Sequence, residues 1–250
     1  MNPKILIIGE SCLDIYNYCK CQRFCPDRPV PILNVIKTVS NNGMAGNVLN
    51  NLTNLNVNCD IITNKNWKLN KKIRYVDDDT NHMFIRIDSE HAVTRIELTD
   101  KIIKLIKLAE IVIISDYNKG FLHENDIKKI CSINENVFID TKKQLGDWVN
   151  NAKIIKINNY EYNRSLLSIS PAIKDKIIHT IGSGGCIYKQ KQYKLKNKYE
   201  IKDTSGCGDT FMAALVAKYS HTRNIYKSIN YANMCASEVA RHKGVTVYGK

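Results

Sequence analysis

Hydrophobic and polar positions change their rhythm along this chain near residue 99. Before it, short apolar runs and alternating stretches predominate. Lys4–Ile8 is an apolar run that stops at Gly9, the pattern of a buried first strand. Ile15–Cys21 and Val30–Val39 read as extended segments separated by Pro26, Pro29 and Pro31, which exclude helix and point to edge strands or a small separate sheet. Asn42-Gly43-Met44-Ala45-Gly46-Asn47 opens a helix to about Leu55, with Val48, Leu52 and Leu55 on one face. Asn58–Thr63 reads as a strand, and Lys72–Val76 with His82–Ile87 as a hairpin around residues 77–81.

After Thr99 the chain alternates helix and strand. Thr99-Asp100 can cap a helix through Leu108. Ile111–Ile114, Val137–Ile139, Lys153–Ile157 and Lys176–Thr180 are strand-like, with a helix over Glu124–Ile133. Helices follow over Phe211–Tyr219 and about Arg223–His242. Such alternation predicts an α/β fold with a parallel, doubly wound sheet. Ligands of such sheets bind beyond the strand C-termini, where Asp116, Asp140, Asn158 and Thr180 fall.

Composition narrows the function. The 250 residues are 44% hydrophobic, enough for the core of one large domain, and no apolar run approaches a membrane span. The first residues are too short in their apolar part for a signal peptide, so the chain reads as a soluble, cytoplasmic protein with no membrane partner. The net charge is +13, but 29 of the 37 basic residues are dispersed lysines. That pattern favours an anionic small substrate over nucleic acid. Nine scattered cysteines read as free thiols, and the cluster Cys19, Cys21 and Cys25 lacks the second pair a zinc ribbon needs.

The stretch with most chemistry is Asp203-Thr204-Ser205-Gly206-Cys207-Gly208-Asp209-Thr210, just before an apolar helical run. Two glycines allow a tight turn whose N–H groups converge on one point, and the following helix adds the positive end of its dipole there. Asp209 falls in the first turn, where a carboxylate can take the proton of a hydroxyl attacking a phosphate. Neither a P-loop nor a dinucleotide Gly-x-Gly-x-x-Gly is present.

Gly206-Cys207-Gly208-Asp209 after Asp203-Thr204 resembles the Asp-Thr-x-Gly-Ala-Gly-Asp signature of ribokinase-like (PfkB-type) carbohydrate kinases. Asn42–Asn47 resembles their Gly-Gly-x-x-Asn sugar motif, Asn158-x-x-Glu161 their Asn-x-x-Glu, and Thr180-x-Gly182-x-x-Gly185 their Thr-x-Gly-x-x-Gly, all in family order. Within the family, residues 22–31, Lys72-x-Arg74, Arg86-Ile87-Asp88 and Ser115-Asp116-Tyr117-x-Lys119-Gly120 resemble the heptose 7-phosphate kinase branch, the kinase half of bifunctional ADP-heptose synthesis enzymes. The likeness spans nearly the whole chain.

The resemblance implies roles. Asp209 is the general base, and Gly206, Cys207 and Gly208 form the N–H anion hole. Asn158 and Glu161 organise Mg²⁺, through water. Thr180, Gly182 and Gly185 line the ATP side, with Asn233 near adenine. Asp14, Gly43 and Asn47 hold sugar hydroxyls. Lys72, Arg74 and Arg86 are candidates for a substrate phosphate, and Asp116 joins the substrate set. Cofactors are ATP and Mg²⁺, with a monovalent cation as a further candidate. Plainer readings stay beside these: Asn158 and Glu161 have the spacing of a capping box, and Asn47 that of a helix cap.

The chain departs from the family pattern at Glu10 for Asp, Met44 for the second Gly, Cys207 for Ala and Thr141 for Pro. A strand–helix–strand unit is missing between Ile62 and Lys71, and a helix is shortened between Asn163 and Lys176. No His-x-Gly-His nucleotidyltransferase motif occurs. The expected fold is therefore a ribokinase-like three-layer α/β sandwich over residues 1–250, with a mostly parallel central sheet. A small β lid over about 12–38 and 71–88 would pair in a homodimer. The expected activity is ATP-dependent phosphorylation of the anomeric hydroxyl of a heptose 7-phosphate. Two other readings stay open. One is a kinase of another sugar or sugar phosphate, motivated by Met44. The other is a non-catalytic sugar- or nucleotide-binding protein, motivated by the missing segments.

Overall fold

A computed structural model describes residues 5–195 and 200–249. Lys4, where the first strand was expected to begin, lies outside them. Strands β1 (Ile5–Gly9), β4 (Cys59–Ile62), β7 (Ile111–Asp116), β8 (Val137–Thr141), β9 (Ile154–Asn158), β10 (Ile177–Thr180), β11 (Cys186–Tyr188) and β12 (Lys191–Tyr193) form the larger sheet among the described residues. Its order is β12-β11-β10-β9-β8-β7-β1-β4, parallel from β10 to β4 and antiparallel at β11 and β12. The doubly wound expectation is met.

Both faces of the sheet are covered, which explains why its strands are nearly continuous apolar runs. Ile5 and Ile7 point to one core, with α1 (Ala45–Asn54), α6 (Cys207–Thr222) and α7 (Ile225–Val239). Leu6 and Ile8 point to the other, with α2 (Asp100–Leu108) and α3 (Glu124–Ile133). These four residues of β1 are fully buried. Each contributes about 1.5–3 kcal/mol of burial. Helices α4 (Asn159–Ser165) and α5 (Pro171–Lys174) are short, as the trimmed spacing there implied. Thr99 caps α2 by accepting the Ile102 N–H.

A second sheet, ordered β3-β2-β5-β6, contains β2 (Ser11–Phe24), β3 (Pro31–Met44), β5 (Lys71–Asp77) and β6 (Met83–Ser89). Pro26 and Pro29 lie in the turn between β2 and β3, and Pro31 opens β3. The chain passes from β1 into β2 through Glu10 alone, so the first strand of the large sheet leads directly into the small one.

The helix expected from Asn42 starts later, at Ala45. Asn42, Gly43 and Met44 stay in β3 because they pair with Leu13, Cys12 and Ser11. Met44 stands at φ 61°, a conformation glycine adopts freely. Holding an L-residue there costs about 1–3 kcal/mol. The last helix is also shorter than read from its pattern, beginning at Ile225 after Arg223 turns left-handed at φ 51°. The tip of the β5–β6 hairpin is fastened to the body. Lys243 Nζ donates to the carbonyls of Asp78 and Asp79 at 2.6 and 2.9 Å, and Asn81 Nδ2 to that of Lys202 at 2.9 Å.

Candidate active site

Asp209 sits in the first turn of α6, beyond the C-terminal ends of the parallel strands. Gly206 precedes the helix with φ 79°, and a Cβ there would meet Asn47 Nδ2 at 2.8 Å. Both facts require glycine. At Gly208 a Cβ would meet Lys156 Nζ at 3.0 Å, so a lysine ammonium lies against the turn. The first N–H groups of a helix lack acceptors within it. The Cys207 N–H turns back to the Thr204 carbonyl at 3.2 Å. The turn expected to form the anion hole thus uses the Cys207 N–H within itself.

Asp209 is 6% exposed. Its Oδ2 accepts from Asn47 Nδ2 at 3.0 Å and its Oδ1 from the Tyr117 hydroxyl at 2.7 Å. Burial pushes its carboxyl above the usual carboxylate range. The bonds from Tyr117 and Asn47 and the Lys156 charge pull it back, and Asp140 adds to the rise. A raised carboxyl beside a helix N-terminus is chemically suited to accept a hydroxyl proton. Asn47 therefore reaches the Asp209 carboxylate, in place of a role as helix cap.

A cleft of about 870 Å³ opens in front of this turn, lined by Asp140, Lys142, Lys156, Asn158, Asp209 and Phe211 among others. Thr180, Gly182, Gly185 and Asn233 line it too, where the ATP side was expected. Gly185 has φ 85°, and a Cβ there would overlap the Tyr193 carbonyl oxygen. Asn233 Nδ2 donates to that same carbonyl at 2.9 Å.

Lys156 is 3% exposed and pairs with Asp140 Oδ2 at 2.5 Å. Asp140 Oδ1 is buried without a hydrogen-bond partner among the described residues. Asn158 and Glu161 form a capping box on α4: Asn158 Oδ1 accepts the Glu161 N–H at 3.0 Å, and Glu161 Oε2 accepts the Asn158 N–H at 2.8 Å. Glu161 Oε1 takes Asn158 Nδ2 and the Lys142 ammonium. Burial works against the charge on Lys142, but Asp140 and Glu161 outweigh it and hold its pKa above the ordinary value. Among the described residues no group of three or more His, Cys, Asp or Glu could cage a metal. The available oxygens, Asp140 Oδ1 and the remaining lone pair of Glu161 Oε2, are hard donors that fit a hydrated Mg²⁺ held through water.

A second, smaller cavity of about 250 Å³ is lined by Cys12, Met44, Lys72, Asp88, His91 and Lys119 among others. Lys72 makes no ion pair among the described residues, and its ammonium lies 5.1 Å from the Tyr117 ring centre. Gly43 packs against Asp14, where a Cβ would meet Asp14 Oδ2 at 2.6 Å.

Four expected substrate ligands, Asp14, Arg74, Arg86 and Asp116, pair with other protein groups. Arg74 is buried and binds Asp14 Oδ1 at 2.5 Å, so each neutralises the other. Arg86 holds Asp88 through two bonds of 2.7 and 2.5 Å. Asp116 is buried and accepts from Lys143 Nζ at 2.7 Å and Thr141 Oγ1 at 2.5 Å; it braces the end of β7. Arg74 and Asp14 meet across the neighbouring strands β5 and β2, as opposite charges do in sheets, whereas Arg86 and Asp88 share β6. Of the three expected phosphate ligands, Lys72 alone makes no ion pair among the described residues. Sequence reasoning did not single out Tyr117, Lys156 or Glu10 as parts of the site. Tyr117 and Glu10 stood inside quoted motifs, and Lys156 inside an apolar strand where a lysine is itself unusual.

Residues 43–248 match the family described as pfkB family carbohydrate kinase. The bifunctional protein HldE of Nitratiruptor sp. is 24% identical over 292 residues, covering 98% of this chain and 63% of that protein. HldE of Helicobacter pylori is 28% identical over 294 residues, covering 96% of this chain and 63% of its own. The chain thus spans 63% of the length of these curated relatives. The aligned span exceeds the chain itself, because the relatives carry segments this chain lacks. Among solved structures, ribokinase of Arabidopsis thaliana complexed with ribose and ATP superposes with a TM-score of 0.70 at 14% identity, over 98% of this chain and 94% of that one. Phosphofructokinase-2 of Escherichia coli does so with 0.68 at 13%, again over 98% and 94%. These two share the ribokinase-like fold. By its match over most of its length, the chain belongs to the pfkB family of carbohydrate kinases.

Proposed function

We propose that the protein transfers a phosphoryl group from ATP to the anomeric hydroxyl of a heptose 7-phosphate. The observation that carries the reading is Asp209, buried and raised in proton affinity at the N-terminal turn of α6, on the lining of the larger cleft. The nucleotide occupies the larger cleft, with Thr180, Gly182, Gly185 and Asn233 on its far side. The Gly208 and Asp209 N–H groups and the Lys156 ammonium face the transferred group. Asp209 takes the sugar hydroxyl proton. Mg²⁺, held through water near Asp140 and Glu161, neutralises charge on the nucleotide phosphates. Such transfer is positioning plus electrostatics, and this chain supplies both.

The sugar phosphate lies on the side of the small sheet, in the cavity bordered by Lys72. The branch motifs at residues 22–31, Lys72-x-Arg74, Arg86–Asp88 and Ser115–Gly120 support a heptose 7-phosphate. With Arg74 and Arg86 paired, the substrate phosphate rests on Lys72. Lys72→Ala is therefore expected to raise KM for a sugar phosphate about tenfold or more, the worth of one charge-assisted hydrogen bond, and to leave KM for ATP unchanged. An unaltered sugar-phosphate KM would remove Lys72 from the site.

Val35 and Ile36 on β3 and Ile85 and Ile87 on β6 are exposed on the two edge strands of the small sheet, which supports its pairing as a lid with that of a second copy.

The test is ADP release with ATP, Mg²⁺ and a panel of heptose 7-phosphate, fructose, fructose 6-phosphate, ribose and no sugar. Fastest turnover with heptose 7-phosphate is expected. Faster turnover with another sugar keeps the mechanism and discards the heptose; no turnover with any sugar, in folded protein that binds ATP, discards the kinase reading.

A further inference from the structure

Asp209 is held by two donors from distant parts of the chain, and both hang on one residue. Glu10, 1% exposed, is the single residue between β1 and β2. Its carboxylate gathers the loop after β7: Oε2 accepts the Tyr117 N–H at 2.8 Å, and Oε1 those of Lys119 and Phe121 at 3.0 and 3.2 Å. Its carbonyl accepts the Ala45 N–H at 2.9 Å, at the first residue of α1, the helix that carries Asn47. The loop delivers the Tyr117 hydroxyl to Oδ1 of Asp209, and α1 delivers Asn47 to Oδ2.

We propose that Tyr117, fixed by Glu10, is the positioning residue of the base: its hydroxyl orients the Asp209 carboxylate and sets the pH at which that carboxylate is free to accept a proton. The inference rests on Asp209 being the base. Tyr117 acts through Asp209, so it is not itself a catalytic residue.

The sign follows from the bond. A hydroxyl donating to a carboxylate favours the ionised form, so losing it raises the carboxyl's proton affinity. Other groups around Asp209 act with that bond or against it. From α1, Asn47 also donates to Asp209. From β9, Lys156 favours ionisation. From β8, Asp140 opposes it. Burial opposes it most. Lys142, just past β8, stays an ammonium. Cys12 on β2 and Cys207 on α6 are pushed up by burial to about 12 and remain thiols across the working range. Tyr117 is driven well above 10 by burial and by the Asp209 charge, so it remains a donor. Lys72 and Lys142 lie 5.1 and 5.5 Å from its ring centre and help hold the ring in place.

The experiment titrates the Asp209 side chain by carbon-13 carboxyl NMR in the full chain without ligands, in the wild type, Tyr117→Phe and Glu10→Gln. Asp209→Asn assigns the resonance. In Tyr117→Phe the midpoint is expected to rise by about one pH unit, a tenfold change in proton affinity. The acid limb of the kcat profile should move with it, with KM for ATP unchanged. Glu10→Gln replaces one acceptor oxygen by a donor, loosens the loop without touching Asp209, and is expected to shift the midpoint in the same direction. It also serves if Tyr117→Phe does not fold. Unchanged midpoints in the folded variants overturn the proposal. Wild-type turnover in Asp209→Asn overturns the base assignment instead, and leaves the titration to decide the clamp on its own.

Discussion

Asp209→Asn lowers kcat by about 10²–10⁴-fold and leaves nucleotide affinity near wild type. The amide keeps the shape of the carboxylate and can still accept from Asn47 or Tyr117, but it takes no proton from an attacking hydroxyl. The nucleotide's expected contacts at Thr180, Gly182, Gly185 and Asn233 line the same cleft but do not bond the Asp209 side chain, whose partners are Asn47 and Tyr117. Stability should not fall with activity. Burial raises the Asp209 carboxyl in the folded protein, so the native state holds its proton to higher pH than the unfolded chain, whose Asp titrates near about 3.9. Stability therefore falls as pH rises from there through the raised native value, and the ionised form carries the full penalty above it. The asparagine removes that penalty. At pH 8 the variant should melt at or above the wild-type temperature. Single-turnover kinetics, nucleotide titration and thermal melts check the three parts. Near-wild-type turnover would sink the base assignment, and a large fall in melting temperature would place the loss in folding.

Gly9→Ala is expected to destabilise the fold by about 3 kcal/mol or more, lowering the melting temperature by about 10 °C. Gly9 pairs with Ser115 where β1 and β7 run side by side. A Cβ there would overlap the Ser115 carbonyl oxygen, a backbone atom that cannot rotate away. The two strands must separate at the point where Glu10 turns to gather the loop after β7. Stability and the base clamp should thus fail together: whatever folded protein remains should show a raised Asp209 titration. A variant that melts like the wild type would mean that the strands accept the methyl group.

What could be read from the sequence followed the distance over which each feature is encoded. Unlike β11 and β12, which the sequence reading did not pick out, the six parallel strands of the large sheet, the prolines between β2 and β3 and the Gly206–Asp209 turn carry their signals within a few residues. Periodicity and turn chemistry sufficed for them. The start of α1 was misplaced because pairing of Asn42–Met44 with Ser11–Leu13 overrides local helix preference, and no local pattern reports a partner thirty residues away. The same limit explains the site. Arg74 and Asp14 are both polar, spaced as ligands would be, yet they meet each other across β2 and β5. Asn158 and Glu161 carry one spacing that serves a capping box and a metal site alike, and the structure shows the box. Tyr117 reaches Asp209 from ninety-two positions earlier, a contact that only the fold creates.

The place of β1 has a consequence for how the chain is made. Ile5 takes Cys59 on one side and Ile111 on the other as its sheet partners. On a ribosome adding about 5–20 residues per second, this wholly buried strand waits seconds with its second edge bare before β7 arrives. Pairings between such distant segments are slow to form, and unpaired apolar edges invite association with other chains. Yield of active protein should therefore depend on translation rate and on chaperones that shelter the first strand more than on the stability of the finished fold.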